Sequence, residues 1–111
     1  MWLLLDAAVR EQRVSDVRKC VLAMINHYSC VVPFSPVLYT VDFLSDIEHP
    51  PEGWYRFDLA FLRKADRLCV LQLDGWETSV GIAIEIAFAE SRGLPIGYYT
   101  VDEVLSDEVP F

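Results

Sequence analysis

The sequence lacks the residue patterns of metal, dinucleotide and nucleoside triphosphate sites. Its two histidines, His27 and His49, have no metal-ligand spacing to each other or to a cysteine, so we expect neither a metal nor another cofactor. No GxGxxG or P-loop pattern occurs, which argues against cofactors that bind through those loops. Cysteines 20, 30 and 69 form no CxxC pair and lie in apolar runs. They predict buried free thiols in a reducing cytosol, and therefore a cytoplasmic protein.

Basic residues are also scarce. Nine Lys and Arg face 17 Asp and Glu, which gives a formal net charge of −8. This balance argues against a nucleic-acid polymer or an anionic membrane as the main partner. No segment approaches the length of a membrane span, and the stretch 1–5 is too short for a signal peptide.

What the sequence does have is one domain's length, 111 residues, and an unusually high hydrophobic share of 53%. The excess predicts a sheet covered on both faces or an apolar interface between copies. Alternating apolar and helical patterns predict a small three-layer α/β fold, with a Rossmann-like or flavodoxin-like parallel sheet and helices on both faces. The predicted strands are 2–5, 30–34, 68–73 and 96–99. The predicted helices are 7–28, 52–65 and 80–92, with short helical turns in the loop 37–51 and at 101–105.

Glu85 is the first residue that needs a specific explanation. It is the sole ionisable residue between Val80 and Ala89, and a carboxylate in apolar surroundings is costly unless it is paired, protonated or used. One interpretation places it on an exposed edge with Arg92 folded toward it. The other places it at a pocket where strand ends meet helix starts. Asp58 poses the same problem on the preceding helix, since its neighbours in sequence are apolar.

The residues before Glu85 favour the pocket. Asp74-Gly75 predicts a turn, and Ser79 is a suitable N-cap for the helix that follows. The free backbone N–H groups at residues 80 to 82 would then form an anion site, which Gly81 would let a ligand approach closely. Arg13 and the other basic residues of the first helix are interpreted as a solvated face.

These residues resemble a known family. The pattern Gly-Trp-x-x-Ser-x-Gly-x-x-x-Glu, here Gly75 to Glu85, is similar to one in small bacterial and phage domains of the nucleoside 2-deoxyribosyltransferase-like superfamily. The likeness covers roughly residues 6 to 100. The Gly-Trp to Glu block is fairly specific, and the remaining likeness is supporting pattern: Trp54, Asp58, Phe34-Ser35-Pro36, Ala65-Asp66, Ala89 and Gly93-Leu94-Pro95.

The resemblance implies roles for these positions. Glu85 matches the nucleophile that attacks the anomeric carbon of a nucleoside or nucleotide, and Asp58 matches the aspartate that orients it or protonates the leaving base. Ser79 matches a serine that holds the 5′-phosphate in the nucleotide N-glycosidase branch. With Gly81 and Ser35 it forms the expected substrate site. Trp76 could stack on the base or serve equally well as a packing anchor.

The resemblance also has a gap. Family members place a small-residue loop with a tyrosine between the first strand and the first helix, whereas here Met1 to Leu5 leads directly into Asp6. Either Met1 is internal to a longer reading frame, or the first strand and its loop are shortened. Two functions are therefore expected in alternative: an N-glycosidase or 2-deoxyribosyltransferase acting through a glycosyl-enzyme, or a catalytically impaired homologue that binds nucleotides or serves assembly. Both would form a homodimer or higher oligomer, because the helices at 52–65 and 80–92 are apolar over more than one face.

Overall fold

The computed structural model describes residues 7–40 and 52–111 of the chain. It is a compact mixture of helices around a small parallel sheet. The predicted strand 2–5 and the loop residues 41–51 lie outside the described residues. Five α-helices, α1 to α5, and two strands, β1 and β2, are present in the described ranges, together with a 3-10 turn at Trp76–Thr78: α1 Ala7–His27, α2 Pro36–Thr40, α3 Glu52–Leu62, β1 Leu68–Leu71, α4 Val80–Ser91, β2 Ile96–Tyr99 and α5 Val101–Leu105.

β1, α4 and β2 form a βαβ unit, as the sequence predicted. The two strands pair in parallel with Leu68 opposite Ile96 and Leu71 opposite Tyr99. A parallel pair needs a crossover connection, and α4 supplies it. The carboxyl ends of both strands therefore lie at the same edge of the sheet, where the loop that leads into α4 begins.

Local signals fix both ends of α4. The Ser79 hydroxyl accepts a hydrogen bond of 3.3 Å from the backbone N–H of Ile82, which is the predicted N-cap. At the other end Gly93 has φ +68°, and the Leu94 N–H donates to the carbonyl of Ala89 at 2.9 Å. This is the hydrogen bond of a Schellman closure, in which glycine avoids the strain of a left-handed backbone.

The core joins α1 to the end of the chain. Val104 of α5 is 1% exposed and packs with Cys20, Met24 and Tyr28 of α1 and the segment after it. The Tyr28 hydroxyl donates to the Val104 carbonyl at 3.2 Å and accepts from the Val109 N–H at 3.3 Å. Residues 106–111 are thus part of the fold and not a free acidic tail, because this buried phenol satisfies both its hydrogen-bonding roles there.

The predicted strand at 30–34 does not form. Residues 31–35 have no regular secondary structure, and Val32 is 96% exposed. Its β-branched residues favour a strand only where a neighbouring surface is available to pack on, and Pro33 has no N–H to donate to a ladder. Cys30 is exposed and Cys69 half-buried, so the expectation of three buried thiols holds only for Cys20.

Other differences concern helix and strand limits. α3 ends at Leu62 and β1 at Leu71, two or three residues earlier than predicted. On α1 the apolar positions Leu22 and Ile25 are 59% and 61% exposed, so the buried stripe is narrower than the pattern indicated. No helix in the described ranges has both the length and the apolar character needed to cross a membrane.

Candidate functional site

Asp58 and Glu85 line the same cavity. It has a volume of about 620 Å³ and lies between α1, α3, β1 and the segment 30–37. Asp58 is presented by α3 and Glu85 by α4, two helices that pack against each other. The cavity size lies within the range of small-molecule sites. Two carboxyl groups that the sequence singled out separately, 27 positions apart, are therefore brought to one place.

Burial raises the pKa of both carboxyl groups. The pKa of Asp58 rises from its ordinary value of 3.8 to about 6. The pKa of Glu85 rises from 4.5 to about 7, first through burial and then through the nearby charge of Asp58. Both effects disfavour the charged form, and the second requires the two groups to be close. Glu85 is half-buried and lines the cavity, which argues against the interpretation that puts it on an exposed edge.

The order of the two pKa values differs from the expected roles. A nucleophilic Glu85 would be the ionised member and Asp58 the protonated one, yet Glu85 has the higher pKa. Because the groups interact, the proton belongs to the pair and not to either side chain alone. Between pH 6 and 7 the state with one carboxylate and one carboxylic acid is therefore the most populated.

One oxygen of this pair has no partner. The Oδ1 atom of Asp58 is fully enclosed and forms no hydrogen bond with any described residue. No Lys or Arg of the described ranges forms an ion pair with Asp58 or Glu85. Arg92, the suggested structural partner of Glu85, lies instead over the ring of Phe88 at 5.5 Å. Buried carboxyl groups that serve structure alone are normally paired or hydrogen-bonded, so this arrangement favours a ligand-binding or catalytic use.

Ser35, expected to be a substrate-site residue, also lines the cavity. Its hydroxyl accepts a hydrogen bond of 3.4 Å from the Leu38 N–H at the start of α2. Beside it, Phe34 and Phe61 line the cavity with their rings stacked at 4.1 Å between centroids. Sequence reasoning treated Phe34 as a strand residue and Phe61 as part of an apolar helix band, so it missed both as site residues.

Ser79, Gly81 and Trp76 are not among the residues that line this cavity. They lie at the start of α4, where Ser79 caps the helix and Trp76 packs against the ring of Tyr98 at 5.7 Å. The structure thus brings Ser35, Asp58 and Glu85 together and leaves the three motif residues in a neighbouring group. The Trp76–Tyr98 contact favours the packing interpretation of Trp76.

Arg13 is a further residue that the sequence did not single out. Its guanidinium donates a hydrogen bond to the backbone carbonyl of Asp74, 61 positions away. Gly75 has φ +84°, and a β-carbon at this position would lie 3.2 Å from Arg13 Nη2. Arg13 therefore holds the turn that leads into α4, and no sequence signal distinguished it from the solvated basic residues around it.

Metal binding has no visible basis in the described ranges, which contain no group of three or more His, Cys, Asp or Glu placed to hold an ion. In a comparison with protein families, residues 3–101 match a family described as a domain of unknown function, DUF1937. Comparison with curated proteins gives no match, and comparison with solved structures gives none either.

Proposed function

The chain belongs to the DUF1937 family, and we propose that it cleaves the N-glycosidic bond of a nucleoside or nucleotide, by hydrolysis or by transfer of the deoxyribosyl group. The observation that carries this proposal is the pair Asp58 and Glu85 in one cavity, both with a raised pKa. The resemblance of the block from Gly75 to Glu85 to nucleoside 2-deoxyribosyltransferase-like domains supports the choice of bond.

The protonation state of the pair suits a double displacement. Such a mechanism needs a carboxylate nucleophile and a carboxylic acid at the same time. Between pH 6 and 7 the pair Asp58 and Glu85 contains one of each. An arrangement with both groups ionised would lack the acid, and one with both protonated would lack the nucleophile.

The proposed reaction has two steps. The carboxylate oxygen attacks the anomeric carbon while the bond to the base nitrogen breaks, and that nitrogen keeps the electron pair and takes the proton of the acid. Water, or a second base in transfer, then attacks the same carbon and loses a proton to the group that served as acid. The carbon–carboxylate bond breaks and the first carboxylate is regenerated.

The resemblance assigns attack to Glu85, whereas the order of pKa values favours Asp58 as the ionised member of the free pair. We keep Glu85 as the proposed nucleophile, because a bound substrate redistributes the proton within an interacting pair. A 2′-fluoro-2′-deoxynucleoside probe separates the assignments, because fluorine slows breakdown of the covalent intermediate. Peptide mapping by mass spectrometry should place the sugar on Glu85, and an adduct on Asp58 would reverse the roles.

The activity itself is tested by incubating the protein with a panel of nucleosides and 5′-mononucleotides and measuring free base by chromatography. Glu85→Gln and Asp58→Asn should each lower base release by at least about 100-fold, as loss of a nucleophile or of an acid does. Glu90→Gln is the matched control, because Glu90 is an exposed carboxylate on the same helix. Absence of base release from every compound at high protein concentration would refute the proposal.

We propose that the 5′-phosphate of a nucleotide substrate binds at the start of α4, where Ser79 lies about 9 Å and Gly81 about 6 Å along the helix from Glu85. Ser79→Asp tests this sharply, because aspartate is a good N-cap that keeps the helix start but places a negative charge there. The variant should lose activity on 5′-mononucleotides and keep activity on nucleosides. Equal loss on both substrate types would contradict a phosphate role for Ser79.

The proposed fold is larger than the two strands described. We propose that the sheet continues past β1 into the three-layer, Rossmann-like arrangement, with the apolar stretch 2–5 as a further strand. An experimental structure in which this stretch does not pair with β1 would overturn this proposal.

The alternative function is a nucleotide-binding or assembly domain without catalysis. It is favoured by one observation: the residues expected to hold a phosphate do not line the cavity that contains the carboxyl pair. Thermal shift with nucleotides separates the two functions. Stabilisation by nucleotides without base release would support this alternative and reject the enzyme.

A further inference from the structure

Four aromatic rings form a surface cluster that the hydrophobic core does not include. The cluster consists of Phe34, Tyr39, Phe57 and Phe61, and every ring lies within 6.0 Å of at least one other. Its rings are only partly covered, since Phe34 is 48% exposed, Tyr39 52% and Phe61 39%. Contiguous exposed apolar patches are typical of interaction surfaces and ligand-binding grooves.

The geometry of the cluster favours a planar ligand over an aliphatic one. Phe34 and Phe61 are nearly parallel, with 15° between their planes and 4.1 Å between their centroids. Tyr28 and Phe111 of the core, in contrast, meet edge to face at 85°. A parallel pair of partly exposed rings offers an apolar surface on which another flat ring can continue the stack.

The same two rings line the cavity that contains the carboxyl pair. Phe61 follows Asp58 by three positions on α3, which places both on one side of that helix. Asp58 lines this cavity, and no Lys or Arg of the described part of the chain forms an ion pair with it. The site therefore combines an apolar aromatic surface with a carboxyl group that lacks a cationic partner.

We propose that Phe34 and Phe61 form the stacking surface for the heteroaromatic base of the substrate, with Asp58 at the polar edge of the base. This inference rests on the proposed function and moves base recognition from Trp76 to the cavity. A neutral base suits the site, because its faces are apolar, its edge carries ring nitrogens and exocyclic groups, and the protein's charge of −8 does not repel it.

The test is binding of free bases to the full chain, which needs no turnover. Adenine, hypoxanthine, cytosine and thymine are titrated and followed by saturation-transfer NMR, with ribose 5-phosphate as the probe that lacks a base. Phe61→Leu and Phe34→Leu keep an apolar side chain and remove the ring. Each should weaken base binding by about fivefold or more, the lower end of base–aromatic stacking, and leave ribose 5-phosphate unchanged.

Leu22→Ala is the matched control, because Leu22 is 59% exposed on α1 and does not line the cavity. Circular dichroism shows whether each variant is folded. If Phe61→Leu does not fold, the test rests on Phe34→Leu. Absence of base binding, or binding that neither ring substitution weakens, would overturn the inference. Either result is also what we would expect if the cluster instead joined two copies of the chain.

The outcome is separable from that of the proposed function. Glu90→Gln should bind bases as the parent protein does, whereas Glu85→Gln should release none from nucleosides. Base binding that depends on the two rings, without cleavage by the parent, would uphold the stacking surface and reject the enzyme. Cleavage that depends on Glu85 but not on either ring would uphold the enzyme and reject the stacking surface.

Discussion

The carboxyl group of Glu85 should make the protein less stable as the pH rises, and Glu85→Gln should remove this dependence. The folded state raises the pKa from 4.5 to about 7, so it binds the proton more tightly than the unfolded state does. The stabilisation is complete below pH 4.5 and is lost as the pH rises through 7. Each pH unit is worth about 1.4 kcal/mol, so the full loss is about 3 kcal/mol.

The measurable part of this loss is smaller. The sequence pI is about 4.5, so unfolding is best followed from pH 5.5, where the protein carries net charge and stays dispersed. Between pH 5.5 and 8 the decline due to Glu85 is about 2 kcal/mol. Partial exposure of the side chain lowers this figure, which is therefore an upper limit.

Urea unfolding at pH 5.5, 6.5, 7.2 and 8, followed by tryptophan fluorescence, provides the free energies of unfolding. The difference between Glu85→Gln and the parent protein should grow with pH in favour of the variant. Glu90→Gln removes an exposed carboxylate from the same helix and should show a difference that is nearly constant with pH. If both variants gave the same pH dependence, Glu85 would not be the buried, proton-binding group described above.

Three further predictions concern the pair, the core and the assembly. Base release should be fastest between pH 6 and 7 and fall about tenfold per pH unit on either side. At lower pH the pair lacks a carboxylate, and at higher pH it lacks an acid. A flat profile from pH 5 to 9 would contradict this. Tyr28→Phe should lower the free energy of unfolding, measured in urea, by about 1–3 kcal/mol, because the Val104 carbonyl and the Val109 N–H lose their shared partner. Tyr98→Phe is the control and should change it little, because Tyr98 is 41% exposed. Equal effects of the two substitutions would argue against the buried role of Tyr28. Light scattering at tens of micromolar should give the mass of a dimer or larger oligomer, and a clean monomer would end the proposal of an oligomer.

The elements predicted correctly are those that local residues determine. α4 begins and ends where Ser79 and Gly93 indicate, because its caps use atoms within a few positions of the helix ends. The segment 30–34 was predicted wrongly, because its strand propensity takes effect only beside a surface that the sequence alone does not reveal. The contact of Arg13 with Asp74 is of the same kind, since it joins residues 61 positions apart.

Site residues could be predicted from the sequence where they break the apolar pattern of their helix. Glu85 and Asp58 could be found because each is an isolated charge among apolar neighbours, and the structure places both at one cavity. Phe34 and Phe61 violate no pattern, since an aromatic residue among apolar ones is ordinary. Their parallel stacking arises from a contact across 27 positions, and sequence periodicity contains no information about it.

The cost of burying Asp58 and Glu85 indicates whether these carboxyl groups stabilise the fold. Burial of a carboxyl group that ends up without an ion pair opposes folding at neutral pH, by about 3 kcal/mol for Glu85 alone. A domain of this size has a total stability of about 5–15 kcal/mol, so this is a large fraction of it. An apolar residue of similar volume at either position would avoid that loss. Two such groups at one cavity therefore support the proposed proton transfer better than a packing role. The pH dependence of Glu85→Gln measures the free energy of unfolding that the buried carboxyl group costs.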